Sequence, residues 1–169
     1  TLSSEQIRLA LKELQDFVKS DEYDDYLTAL RQTLEDMLYE KLGGNEQNYL
    51  IGKQEWIDAY LSRLTSSNTV DQIVEDLKEV EQRVREDRIV SHVGRVANFL
   101  ERWMDLGEES FLRVLEKEMK PDQTVLNLKI RCIDPAPISG EIVNGAYASI
   151  SMSATLSPIE MYRDLLASD

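Results

Sequence analysis

A chain of 169 residues, 42% of them apolar, is long enough for one ordinary domain, or for one domain and a piece of another, with a buried core. Its formal net charge of −13 argues against a general nucleic-acid or anionic-membrane surface, because most of the exterior would repel a phosphate backbone, although a local basic patch can override that. One cysteine excludes an internal disulfide and a zinc or iron–sulfur ligand set, so the chain reads as intracellular, and it shows neither a membrane-spanning apolar run nor a signal-like amino terminus.

The first elements read as amphipathic helices. Ile7, Ala10, Leu11, Leu14, Phe17 and Val18 recur at helical spacing and predict a helix over residues 4–19, capped by Ser3 or Ser4. A second helix is predicted over 22–42, with Tyr23, Tyr26, Leu27, Leu30, Leu34, Met37 and Leu38 inward and Gly43-Gly44 as its stop. Asp21, Glu22, Asp24 and Asp25 crowd its first turn, where the helix dipole favours them; a metal site is the sharper alternative for the same residues. A third helix over 53–65 turns Trp56, Ile57, Tyr60, Leu61 and Leu64 inward.

From Thr69 the apolar positions Val70, Ile73, Val74, Leu77, Val80 and Val84 keep helical spacing, and Ile89, Val93, Val96, Leu100 and Trp103 follow on a rotated face. One long bent helix, or two helices meeting near Glu86-Asp87, would account for the rotation. At 100° per residue Arg85, Arg88, His92, Arg95, Phe99 and Arg102 fall together, forming a basic stripe with one aromatic on an acidic protein. Arginines that follow phosphates and an aromatic that stacks a base are what single-stranded nucleic acid requires. A solvated face paired with Glu81, Glu86 and Glu101, with Phe99 at the rim of the core, is the plainer alternative.

Residues 107–119 are expected to form another short helix, with Phe111, Leu112, Leu115 and Met119 inward and Lys120-Pro121 ending it. The character then changes. Val125, Leu126, Leu128, Ile130 and Cys132 form a β-favouring run, Asp134-Pro135-Ala136-Pro137 breaks it, and a short helix or turn covers 138–144. A second strand is predicted over 148–152, feeding a polar turn and a helix that Pro158 opens, with Ser157 as N-cap and Glu160 reaching back to it. The domain boundary is placed near 121–125. Two strands with a short crossover cannot close a sheet, so the last 45 or so residues read as part of a larger α/β domain. Cys132 is expected to be a small buried residue.

Ser153-Ala154-Thr155-Leu156-Ser157-Pro158, continued by Ile159, Glu160, Met161 and Tyr162, resembles motif III of the XPD family of superfamily 2 DNA helicases. The upstream Leu128 to Asp134, with Cys132-Ile133-Asp134, is similar to the strand ending in Cys-x-Asp that precedes that motif in the family. The likeness is specific over 126–167 and loose before it. What the resemblance implies is a mostly α chain: residues 1–122 as a helical Arch-type insertion, and 123–169 as a partial α/β, RecA-like segment with two or more strands at the end of motor domain 1. Ser153, Ala154 and Thr155 would then relay nucleotide state to the DNA cleft through their hydroxyls; Ala154 stands where many relatives carry Gly.

The parent protein implied is an ATP-dependent 5′–3′ DNA helicase of nucleotide excision repair, using ATP, Mg2+ and a 4Fe–4S cluster. Its phosphate loop, Asp-Glu box and four cluster cysteines would stand upstream. The sequence here has neither the phosphate loop nor the Asp-Glu box, so this stretch alone is expected to be inactive as an ATPase. Single-stranded DNA, the remaining helicase domains and repair-complex proteins on the Arch are the partners implied, with no membrane. The location implied is the cytoplasm, or the nucleus in a eukaryote. Arg85 to Arg102 is the candidate Arch wall of the DNA pore. An acidic, helical protein-interaction module without catalytic activity is the alternative, with the carboxy-terminal strands completing a small α+β fold.

Overall fold

The computed structural model describes residues 1–18, 20–43, 46–148, 150, 152 and 157–166. The chain runs β1 (Leu2–Ser3), α1 (Ser4–Phe17), α2 (Asp21–Lys41), β2 (Asn48–Leu50), α3 (Lys53–Leu61), α4 (Val70–Asp87), α5 (His92–Asp105), β3 (Phe111–Met119), β4 (Thr124–Cys132), α6 (Ala136–Gly145) and α7 (Ile159–Leu166). It divides into two compact units. One is Thr1–Leu106 with Arg113–Ile130, the other Gly107–Leu112 with Arg131–Asp169.

Mostly helical structure, with a smaller sheet, is what the periodicity predicts. In the first unit α1 begins on a capping box in which Ser3 and Gln6 bond one another's backbone N–H, and α4 begins on the same device built from Thr69 and Gln72. The predicted inward faces are the buried ones: Ile7, Ala10 and Leu14 on α1, Leu27, Leu30 and Leu34 on α2, Trp56 and Tyr60 on α3. The stretch from Thr69 is two helices, with residues 88–91 between them. They run antiparallel, because Lys78 pairs with Glu101 while Glu81 lies against Gly94.

Three expectations are corrected here. Residues 111–119 are a strand and not a helix. Phe111, Leu112, Leu115 and Met119 do have helical spacing, and Leu, Glu, Lys and Met favour helix. But Arg113, Val114 and Leu115 are all buried, and successive strand residues point to opposite faces, so this strand is covered on both sides and loses the alternation that would mark it. The second correction concerns pairing. The run over 125–132 reads as one of two strands of a larger α/β sheet; it belongs instead, as β4, to a four-stranded antiparallel sheet in the order β1-β4-β3-β2, with Leu2 opposite Leu128 and Tyr49 opposite Leu115. The β3–β4 hairpin closes through Lys120 and Gln123, which bond each other's backbone, so the boundary expected at 121–125 falls on its turn. Cross-strand, Lys129 pairs with Glu116 and Asn127 donates to Glu118. Third, Cys132 is exposed, its thiol 3.3 Å from the Asp134 carbonyl oxygen.

The second unit has a different texture. Ile133 N–H donates to the Ser110 carbonyl, and the Asp134 carboxylate accepts Ala136 N–H in a turn that opens α6. Of its described residues only Gly140 is buried, while Ile138, Ile142, Ile159 and Met161 are exposed on α6 and α7. Of the strand expected over 148–152, residues 148, 150 and 152 are described and are not in a strand.

Candidate functional site

Helix α5 is the element on which the candidate site stands, and both its ends are held by charged side chains from other elements. At its amino end Ser91 Oγ accepts Gly94 N–H at 3.0 Å, and the buried Glu13 carboxylate of α1 accepts Ser91 Oγ–H and Val93 N–H, each at 2.8 Å. At its carboxyl end Arg113 of β3 donates to the carbonyls of Trp103 at 2.8 Å and Leu106 at 2.6 Å, while Lys53 donates to that of Met104. A carboxylate at the positive end of the helix dipole and cations at the negative end are the favourable arrangement, worth up to about 2 kcal/mol at partly buried sites. Between them Trp103 packs 4.9 Å from Trp56 and 5.9 Å from Phe99, centroid to centroid, with the Arg113 guanidinium over its ring at 5.0 Å. The helix is a rigid strut.

Of the six residues of the basic stripe, this strut brings two together. Arg95 and Arg102 are exposed on its outward face, seven residues and so about 10 Å apart. Neither has an ion-pair or hydrogen-bond partner among the described residues. His92 is half-buried in the first turn of the same helix. Arg85 belongs to α4 and lies 2.7 Å from Glu81. Arg88, in the extended connection, sits over the Phe17 ring at 4.7 Å and lies 3.6 Å from Asp16 and 4.0 Å from Glu13.

Phe99 is 6% exposed in the aromatic core and offers no stacking surface. Ile89, expected inward, is 95% exposed. Ile89 points outward because it lies in the link after α4 stops at Asp87, and Phe99 packs against Trp103 on the side of α5 next to its arginines.

Motif III falls outside what is described, since Ser153, Ala154, Thr155 and Leu156 are not among the described residues. The acidic first turn of α2 is committed to structure. Glu22 Oε1 and Asp76 Oδ2 each lie 2.9 Å from the Tyr26 hydroxyl, and Asp25 accepts Thr65 N–H and Oγ1–H. Burial, then the Asp76 and Glu22 hydrogen bonds, push the Tyr26 phenol well above its usual range. Burial, with Asp21 beside it, raises Asp24. Among the described residues no group of three His, Cys, Asp or Glu side chains could hold a metal ion.

Glu13, Arg113 and Lys53 hold α5 and were not singled out from the sequence. Glu13 left a signal: it lies three residues after Ala10 on the inward face of α1, where a carboxylate needs a buried partner.

Geometry therefore defines a helical body with an antiparallel sheet, and on the outward face of α5 two arginines without an ion-pair partner among the described residues. No protein-family model matches the chain, and no curated protein matches it. No helix among the described residues is long and apolar enough to cross a membrane.

Proposed function

We propose that the chain is a piece of an ATP-dependent 5′–3′ DNA helicase of the XPD type, residues 1–122 an Arch domain and residues 123–169 the closing part of motor domain 1. The observation that carries this reading is the second unit's exposed apolar surface: Ile133, Ile138, Ile142, Ile159 and Met161 are 44–70% exposed, and among the unit's described residues only Gly140 is buried. A segment cut from a larger α/β sheet leaves such a surface, because its strands and helices normally bury it against neighbouring ones. The same segment carries the motif III resemblance in Ser153, Ala154 and Thr155. ATP, Mg2+ and the 4Fe–4S cluster belong to other parts of the parent protein, whose proposed role is DNA unwinding in excision repair inside the cell.

In this reading Arg95 and Arg102 line the DNA path. Arg85 and Arg88 shape it indirectly, through their ion pairs, and His92 flanks it. The experiment is single-stranded DNA binding by the 169-residue chain over a salt series. Two phosphate contacts give a slope of log affinity against log salt of about −1.4, and Arg95→Glu with Arg102→Glu removes the binding. Absence of binding at the lowest salt would remove the DNA path from this chain.

The alternative, an acidic helical interaction module, draws its support from strand β4, which finds both its partners, β1 and β3, within this chain.

A further inference from the structure

A cleft of about 190 Å3 opens in the first unit where α1, α2 and the start of β4 meet. Helix α1 lines it with Ser4, Glu5 and Arg8, α2 with Arg31 and Glu35, and the end of the β3–β4 hairpin with Gln123 and Thr124. Its hydrogen bonding is unbalanced. Each guanidinium has a carboxylate on its own helix, Glu5 for Arg8 and Glu35 for Arg31, but both pairs stand 3.9 Å apart, too far for a hydrogen bond. Arg31 Nε–H is shut off from solvent and has no acceptor among the described residues. Thr124 Oγ1–H meets the weak acceptor Met119 Sδ at 3.4 Å. Ser4 Oγ accepts Leu126 N–H at 3.3 Å, which leaves its own proton to give. Because a buried donor without an acceptor is costly, a cleft with more donors than its own carboxylates use is built for an acceptor from outside.

We propose that this cleft binds a phosphate group, free or as a small monoester, between Arg8 and Arg31. Two guanidiniums carried on separate helices call for an acceptor with an edge for each; a tetrahedral dianion has several such edges, a planar carboxylate one. Size agrees with this. The volume of about 190 Å3 is the share of about six waters in the liquid, room for phosphate and a short attached group. The Glu5 and Glu35 side chains are half exposed, so each can turn to water as the anion takes its place beside the arginine. Gln123 adds a neutral amide donor at the rim, alongside the Ser4 and Thr124 hydroxyls. None of these residues belongs to the basic stripe, so the site stands apart from the DNA path proposed above.

The test titrates the 169-residue chain with inorganic phosphate at neutral pH, following the arginine Nε–Hε signals by NMR. Those of Arg8 and Arg31 should move together and saturate, with a dissociation constant of about 1 mM. Arg8→Gln and Arg31→Gln should each weaken phosphate about tenfold or more, and Glu35→Gln should tighten it about threefold by removing a competing carboxylate. Glu40→Gln, the same change of charge further along α2, should alter the affinity less than about twofold. These side chains are exposed or half-exposed, so the variants should fold as the parent does, which thermal unfolding checks. Acetate should bind about tenfold more weakly than phosphate. Tighter binding of glycerol phosphate assigns the site to monoesters, and equal or weaker binding assigns it to the free ion. Shifts that fail to saturate by about 20 mM, or acetate binding as tightly as phosphate, would overturn the proposal. Arg95→Glu with Arg102→Glu should leave phosphate affinity unchanged; its loss there would put the anion on α5 and remove the cleft as its site, whatever single-stranded DNA does.

Discussion

The first unit buries two tryptophans, Trp56 and Trp103, completely, together with Leu14, Leu27, Leu30 and Leu77, whereas the second buries only Gly140 among its described residues. Yet both are made of amphipathic elements. The difference teaches that an apolar stripe specifies a core only where the facing stripe belongs to the same chain. In the first unit helices α1 to α5 and the sheet face one another; in the second, α6 and α7 carry aliphatic faces that this chain leaves in water.

The sharpest way to break this contrast is to remove a central side chain from the packed unit. Trp103→Ala should cost about 3–5 kcal/mol, read as a lower denaturation midpoint, because it empties the space between Trp56, Phe99 and Arg113. Glu13→Ala should cost about 1–3 kcal/mol by leaving Ser91 Oγ–H and Val93 N–H without their acceptor, and Glu13→Gln should restore part of that. Neither change should alter the circular dichroism of α6 and α7.

Alkaline titration probes the buried phenols. Burial raises the Tyr60 phenol as it does that of Tyr26. A folded-state value above the unfolded one means that the stability these groups contribute is intact below the unfolded value of about 10 and is lost as pH climbs beyond it. Absorbance at high pH should therefore show Tyr26 and Tyr60 ionising only with unfolding. Ionisation of Tyr26 before unfolding would mean that its hydroxyl is not held between Glu22 and Asp76.

Smaller effects sharpen the picture. A Cβ at Gly94 would lie 2.2 Å from Glu81 Cδ, so Gly94→Ala must displace the Glu81 side chain from Arg85. In a Glu81→Ala background the same substitution should be stabilising by about 0.5–1 kcal/mol, the ordinary gain of Ala over Gly within a helix. Ile142→Ser, in the second unit, should change stability by less than about 0.5 kcal/mol, because a side chain 70% exposed has little packing to lose.

Helical faces were legible because apolar residues recur every three or four positions, as Ile7, Ala10 and Leu14 do on α1 and Ile73, Leu77, Val80 and Val84 on α4, a local signal that tertiary structure then uses unchanged. β3 was not, since burial on both faces of Arg113 to Leu115 erased the alternation and left a helix-like spacing behind. The antiparallel pairing of β4 with Leu2 and Ser3 joins residues more than 120 positions apart, and nothing local in either segment encodes it. In the candidate site Arg95 and Arg102 were legible by spacing on one helix. The pairing of Arg85 with Glu81, four residues earlier on the same helix, was legible too, whereas that of Arg88 with Asp16 and Glu13 was not, because both carboxylates stand on another helix. Phe99 shares the arc of Arg95 and Arg102 by spacing but is buried against Trp103, as the plainer reading of the stripe has it.

Native-state hydrogen exchange on the whole chain tests the contrast between the two units most directly. The amides of Val96 to Arg102 in α5 should exchange only through global unfolding, and those of Ile142, Val143 and Met161 about a hundredfold faster or more, through local opening of a unit whose described residues bury only Gly140. Equal protection in α5, α6 and α7, with both tracking the global unfolding free energy, would contradict it: the second unit would then be a stable body in its own right, and its exposed aliphatic residues would no longer support reading it as a segment of a larger domain.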